Sequence, residues 1–220
     1  MTFRSVIFDL DGTLLDTLPD IAAATNEILI DLDLPAHATG DYRTFIGSGV
    51  TALLERAIPE TVRNGQLVKE CTTRFLETYG RRWNQLTRPY DDIVELLNKL
   101  LAADCRLAVL SNKPDSFAKK CIARYFSRYP FFPILGQRED VGCKPNPQAV
   151  WEIVEMLDGC LDETLMLGDT AVDIQTAKNA GIFAVGATWG YRPREELIAA
   201  GANVLIDSPL DLIPLLRPAQ

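Results

Sequence analysis

The chain is 220 residues long, 47% hydrophobic and 24% charged, with a formal net charge of −8 at pH 7. That length and apolar content suffice for a sizeable core, as one large domain or one domain with an insertion. The acidic balance repels phosphate polymers and no Lys/Arg cluster offsets it, so nucleic acid is excluded as an expected partner.

The five cysteines, at 71, 105, 121, 143 and 160, are odd in number and lack C-x-x-C spacing, and His37 is the single histidine. A disulfide framework and a structural zinc site are both disfavoured, and reduced thiols in a cytoplasmic protein are expected. His37 follows Pro35 in a turn and reads as a surface residue. The apolar start Val6-Ile7-Phe8 is interrupted by Asp9 before a leader-like segment develops. No uncharged apolar run reaches the ~20 residues that span a bilayer, so no membrane partner is expected.

In chain order, residues 3–8 are β-branched and aromatic and predict a buried strand. It runs into Asp9-Leu10-Asp11-Gly12-Thr13. Helical periodicity follows over 16–33, then from Gly47-Ser48-Gly49 through Ala57, then over 59–79. No strand candidate lies between 16 and 83, so that stretch is expected to be an all-helical cap inserted into a core of 1–15 and 84–220. Beyond Pro89-Tyr90 the pattern alternates: a helix over 91–103, a strand over 105–110 stopping at Ser111-Asn112, a helix over 115–128 and a short apolar run over 132–135. A helix over 146–157, a strand over 164–167 ending at Gly168-Asp169, and a helix over 172–180 closed by Gly181 come next. The last elements are a strand over 182–186, a helix over 194–200 closed by Gly201, and a strand over 203–206. Alternating strands and helices predict an α/β fold with a doubly wound parallel sheet covered on both faces.

Ligands of such sheets bind beyond the carboxyl ends of the strands. Three strands end there in polar residues: Asp9-x-Asp11-Gly12-Thr13, Ser111-Asn112, and Gly168-Asp169-Thr170 with Asp173 following. Lys144-Pro145 lies between the second and third. The set suits phosphoryl chemistry. A carboxylate such as Asp9 can attack phosphorus, provided the charge between the two anions is neutralised. Magnesium does this with hard oxygen ligands, for which Asp9, Asp169 and the backbone carbonyl near Asp11 are candidates. Lys144 adds a second positive charge, and Ser111 with its neighbours adds hydrogen bonds to phosphoryl oxygens. Asp11, two residues from Asp9, is the candidate acid and base. Thr13 and Asn112 stand beside these groups as further substrate-binding candidates. In the helical stretch, Gly47 and Ser48 mark a loop that can close over the site, and Arg43 is a candidate partner for a substrate carboxylate.

These residues carry a resemblance. Asp9-Leu10-Asp11-Gly12-Thr13-Leu14, Ser111, Lys144 and Gly168-Asp169-Thr170…Asp173 resemble, in order, the motifs of the haloacid dehalogenase-like hydrolase superfamily, over essentially the whole chain. Within it the chain is most similar to phosphoglycolate phosphatases, through Phe45-Ile46-Gly47-Ser48-Gly49-Val50, Ser111-Asn112-Lys113-Pro114 and Trp189-Gly190-Tyr191. The resemblance implies a Rossmann-like core with a helical cap, nucleophile Asp9, acid/base Asp11, phosphate ligands Ser111 and Lys144, and Mg2+ on Asp9 and Asp169 with Asp173 acting through water. The implied partner is a small phosphorylated metabolite, foremost 2-phosphoglycolate, met by a monomer or homodimer. Pyrophosphate, a nucleotide, a sugar phosphate and a phosphosugar mutase reaction stay open as alternatives. A dehalogenase is disfavoured, because it has no use for an acid at Asp11 or a paired Asp169, and an intact catalytic set argues against a mere binding protein.

Overall fold

A computed structural model describes residues 3–139 and 141–216. The first strand, β1 (Ser5–Phe8), is followed by the two-residue strand β2 (Leu15–Asp16) and the helices α1 (Leu18–Asp31), α2 (Tyr42–Phe45), α3 (Gly49–Ala57) and α4 (Gly65–Arg82). Then come β3 (Arg88–Pro89), α5 (Ile93–Ala102), β4 (Arg106–Pro114), α6 (Asp115–Tyr125), β5 (Phe131–Gln137) and α7 (Gln148–Met156). The chain closes with β6 (Thr164–Gly168), α8 (Ala171–Ala180), β7 (Phe183–Ala187), α9 (Arg194–Ala200) and β8 (Val204–Ile206).

Six strands form one parallel sheet in the order β5-β4-β1-β6-β7-β8. Successive residues of a strand face opposite sides, and the two sides bury different partners. Val6, Phe8, Leu107, Val109, Leu165 and Leu167 pack with α5 and α6 residues such as Leu96, Leu100 and Ile122. Ile7, Ala108, Leu110 and Met166 pack with Val150, Ile153, Ile174 and Ala177 of α7 and α8. This is the doubly wound arrangement predicted from the alternation. From β1 the chain fills one side of the sheet, then crosses back so that β6 pairs on the other flank of β1. The switch point therefore lies at the end of β1, beside Asp9.

The helices α1 to α4 bury a cluster of their own, built on Ile21, Ile28, Leu54, Val68, Cys71 and Phe75, to which Phe117 and Tyr191 are added from the sheet side. Where the chain leaves for these helices and returns, β2 and β3 pair antiparallel, Leu15 opposite Pro89 and Asp16 opposite Arg88. Buried Asp20 fastens the return: its carboxylate accepts from the backbone N–H groups of Leu86 and Thr87 and from Thr87 Oγ1 at 2.8 to 3.1 Å. A two-residue ladder is too short to leave a periodic trace, so sequence reading passes over β2 and β3.

Other departures from the predicted elements are local. The helix predicted over 59–79 starts only at Gly65, because Asn64 takes the N-cap and its Oδ1 accepts from Leu67 N at 3.0 Å. The strand expected to stop at Ser111 continues to Pro114. The apolar run at 132–135 is a full strand at the sheet edge.

Candidate active site

At the carboxyl end of the sheet, β1 delivers Asp9, whose backbone N–H donates to Leu167 O at 2.9 Å. The turn that follows works because of Gly12. Its φ is +95°, and a Cβ there would overlap the Asp169 carboxylate. The end of β6 brings Asp169, and the first turn of α8 brings Asp173, whose Oδ2 accepts from Thr170 N at 3.0 Å and Thr170 Oγ1 at 2.7 Å. Asp9, Asp169 and Asp173 are buried, and one carboxylate oxygen from each lies within 4.8 Å of the others.

Lys144 is the cation of this cluster. It is buried, and its Nζ lies 2.7 Å from Asp9 Oδ1, 2.6 Å from Asp173 Oδ1 and 3.0 Å from Leu110 O. Asp169 has neutral partners, accepting from Thr13 Oγ1 at 3.0 Å and Tyr191 N at 2.7 Å. Gly190 lets the segment carrying Tyr191 come this close, since a Cβ at that position would overlap Asp169.

The electrostatics follow from burial. Loss of solvent pushes the Asp9 carboxyl up to about 7, with Lys144 pulling against it and Asp173 and Asp11 adding repulsion. Burial also lifts Asp169 well above the usual carboxylate range, reinforced by Asp9 and Asp173. For Lys144, burial acts downward, but the Asp173 and Asp9 carboxylates outweigh it and hold the ammonium above its ordinary value. One lysine thus faces three carboxylates. Oxygen donors without His or Cys form a hard set that fits a divalent cation such as magnesium, and the unbalanced negative charge fits it as well.

Asp11 stands apart from the three. Its side chain accepts from Thr17 Oγ1 at 2.8 Å and from Lys113 Nζ, 2.9 Å from Oδ1 and 3.1 Å from Oδ2. Lys113 is buried, and its Nζ also donates to Tyr79 Oη of α4 at 2.8 Å. Thr17 Oγ1 in turn lies 3.0 Å from Tyr191 Oη, in hydrogen-bond contact. Sequence reading placed none of Lys113, Thr17 and Tyr79 in the site, and Tyr191, expected near its rim, is buried against Asp169 and Thr17. For Lys113 a signal existed: it lies two residues beyond Ser111 in a continuing strand, so both side chains lean to one face.

A cavity of about 50 Å³ opens above these groups. Asp9, Asp11, Ser111, Asn112, Lys113 and Lys144 form its polar side, and Ile21, Ile46, Val50, Leu53, Phe75 and Tyr79 form an apolar wall from the helices. Ser111 is buried, its Oγ accepting from Lys113 N at 3.3 Å. Asn112 is spent on protein: Nδ2 donates to Gly47 O at 3.0 Å and Lys144 O at 3.1 Å, and Oδ1 accepts from Lys144 N at 2.9 Å. It clips the Gly47 loop to the Lys144 loop. Thr13 faces Asp169 and does not line the cavity. Gly47 lines it; Ser48 does not, its Oγ accepting from Arg56 Nη2 at 3.2 Å. Arg43 is exposed outside the cavity and donates from Nη1 to Gly190 O at 3.0 Å. Arg192 answers from the sheet side, donating to the backbone carbonyls of Arg43, Thr44 and Ile46.

The sheet, the acidic trio and the buried lysine define a hydrolase: residues 6–187 match the model of the haloacid dehalogenase-like hydrolase family, and the chain belongs to that family. It is a phosphoric monoester hydrolase of the kind represented by the phosphoglycolate phosphatases. The phosphoglycolate phosphatase of Vibrio parahaemolyticus is 31% identical over 215 residues, 96% of this chain and 94% of that one. That of Pectobacterium atrosepticum is 31% identical over 219 residues, 97% and 92% of the two chains. A crystal structure of a phosphoglycolate phosphatase candidate from Lactobacillus delbrueckii superposes with a TM-score of 0.91 at 28% identity, covering 98% of this chain and 99% of that one. Among the described residues no helix is long and apolar enough to cross a membrane.

Proposed function

We propose that this enzyme is a magnesium-dependent phosphatase that hydrolyses a small phosphate monoester, foremost 2-phosphoglycolate, through an aspartyl-phosphate on Asp9. The observation that carries the reading is the charge imbalance at the end of β1: three buried carboxylates within reach of one another against Lys144 alone. Asp9, Asp169 and Asp173, with the Asp11 carbonyl, would hold the magnesium ion. Bound there, it would supply the positive charge that lets an anionic nucleophile meet an anionic ester.

This chain's own groups do the rest. Lys144 grips Asp9 Oδ1 and aims the carboxylate. Asp9 forms a bond to phosphorus as the P–O bond to the leaving group breaks, and Asp11 gives the departing alkoxide its proton. Asp11 then takes a proton from the water that attacks the aspartyl-phosphate, which releases phosphate and restores Asp9. Ser111 and Lys144 donate to the phosphoryl oxygens. The helices of residues 16–83 act as the cap: they have their own core and supply the apolar wall that keeps bulk water off the site. A cavity of about 50 Å³ suits a short organic tail better than a nucleotide.

The test is phosphate release from 2-phosphoglycolate, sugar phosphates, a nucleoside monophosphate and pyrophosphate, with magnesium or chelator, by the wild type and Asp9→Asn. Magnesium-dependent preference for 2-phosphoglycolate that disappears in Asp9→Asn is the expected result. Full activity of Asp9→Asn, or turnover indifferent to chelator, overturns the mechanism. Preference for another ester keeps the mechanism and removes the substrate.

A further inference from the structure

The cavity is lined by two cations with different surroundings. Lys144 is committed to Asp9 and Asp173 on the phosphoryl side. Lys113 sits at the far side, where the floor meets the helical wall, and gives its ammonium to Asp11 and the Tyr79 hydroxyl. Two of its three contacts are to the oxygens of one carboxylate, so the Asp11 end can be exchanged for another carboxylate without moving the Tyr79 contact. Tyr79 Oη accepts from Lys113, which leaves its own proton; among the described residues that proton has no acceptor within hydrogen-bond distance. Around this pair the wall is apolar, with Ile21, Val50, Leu53 and Phe75. A negatively charged tail entering such surroundings requires a buried positive partner. Arg43, the residue the sequence offered for that task, lies outside the cavity on Gly190.

We propose that Lys113 and Tyr79 form the specificity site of the enzyme, with the Lys113 ammonium and the Tyr79 O–H together reading the carboxylate of a short carboxylated phosphate ester. This rests on the phosphatase reading above and names the side chains that select its substrate. The carboxylate draws Lys113 away from Asp11, so Asp11 Oδ2 becomes available to the leaving group while Oδ1 keeps the Thr17 hydroxyl. An ester with a neutral tail leaves Lys113 on Asp11 and pays in kcat as well as in KM. Lys113 is thereby a link between the occupied cap wall, through Tyr79 of α4, and the proton-handling residue.

The experiment compares 2-phosphoglycolate with 2-hydroxyethyl phosphate, an ester of matching length without the carboxylate, in the wild type, Lys113→Met and Tyr79→Phe. The readout is the ratio of the two kcat/KM values, so an equal loss on both substrates cancels. The wild type is expected to favour 2-phosphoglycolate, and Lys113→Met to lower the ratio about 100-fold, as when a buried polar partner is lost from a recognition site. Tyr79→Phe, which keeps the ring, is expected to lower it about 5-fold. A wild-type preference whose ratio survives in Lys113→Met overturns the assignment. Should Lys113→Met fail to fold, Tyr79→Phe decides, and an unchanged ratio there overturns it. Equal use of both esters by the wild type removes the specificity site and leaves 2-phosphoglycolate as a substrate, whereas release from neither ester removes the specificity site together with 2-phosphoglycolate as the substrate.

Discussion

The floor and the wall of the cavity are built on opposite economies. The floor is polar side chains from the ends of β1 and β4 and from the Lys144 loop, and beneath it Asp9, Asp169 and Asp173 outnumber Lys144, the lysine held among them. The wall is apolar side chains from α1, α3 and α4, held by a helical cluster with its own packing. Stability and activity oppose each other in the floor, because buried like charges cost folding energy while making the chemistry possible. In the wall the same residues serve both. Between them run Asn112, which ties Gly47 to Lys144, and Lys113, which ties Asp11 to Tyr79.

That difference can be broken deliberately, and the largest effect belongs to Asp9. On the proposed mechanism Asp9→Asn is expected to lose about 10⁴-fold in kcat, yet to unfold at higher denaturant than the wild type when no divalent cation is present. The pH dependence supplies a sign. Because the folded carboxyl is raised from 3.8 to about 7, the native state binds the proton more tightly in that window, so cation-free wild type loses stability as pH rises from about 4 to about 7. Denaturant melts across this range should show that decline and find it diminished in Asp9→Asn. A parallel pair of curves would contradict the account of the floor.

Lys144→Met comes next. It strands Asp9 and Asp173 without their cation, at a cost of about 3–5 kcal/mol. Chemical denaturation should show this loss, with magnesium recovering part of it by binding the native state. The folded-state Lys144 value is raised, so the stability it contributes is fully present below about 10.5 and fades as pH climbs beyond that.

Leu53→Ala probes the wall. Leu53 is buried in the helical cluster and lines the cavity. Its truncation is expected to cost about 3 kcal/mol in denaturant unfolding and to raise KM more than it lowers kcat, the reverse of the Asp9 pattern. The smallest effect is at the seam. Asn112→Ala leaves the Lys144 N–H and two carbonyls without their partner, which should cost about 1–2 kcal/mol, read in denaturant unfolding and accompanied by a fall in kcat/KM as the Lys144 loop loosens.

How much of this was legible beforehand depended on range in the chain. The strands β1, β4 and β6 announce themselves by short β-branched and apolar runs, and Asp9, Ser111 and Asp169 by their place at the ends of those runs. Gly12 was legible as a tight turn, although the reason for its smallness, the Asp169 carboxylate against it, comes from 157 residues away. Lys113 was passed over because β4 was expected to end at Ser111. In fact the pairing with β5 carries the strand on to Pro114, with a register irregularity between Leu110 and Pro114. Arg43 looked like a substrate ligand because it lies near the Gly47 loop in the chain. Its partner, Gly190 O, is 147 residues distant, and nothing local foretells it.

The sequence by itself determined what acts through neighbours: the alternation that makes a doubly wound sheet, the glycines that allow sharp turns after strands, and the acidic, hydroxyl and lysine residues that phosphoryl chemistry requires. Tertiary structure alone decided how those charges are shared. It set Lys144 on Asp9 and Asp173, left Asp169 to the Thr13 hydroxyl and the Tyr191 N–H, and paired Lys113 with Asp11 and Tyr79. The physical reason is that periodicity reports which face of an element is buried. The partner of a buried charge is instead chosen by distance in space, and only the packed fold brings residues 9 and 173 each within a hydrogen bond of residue 144.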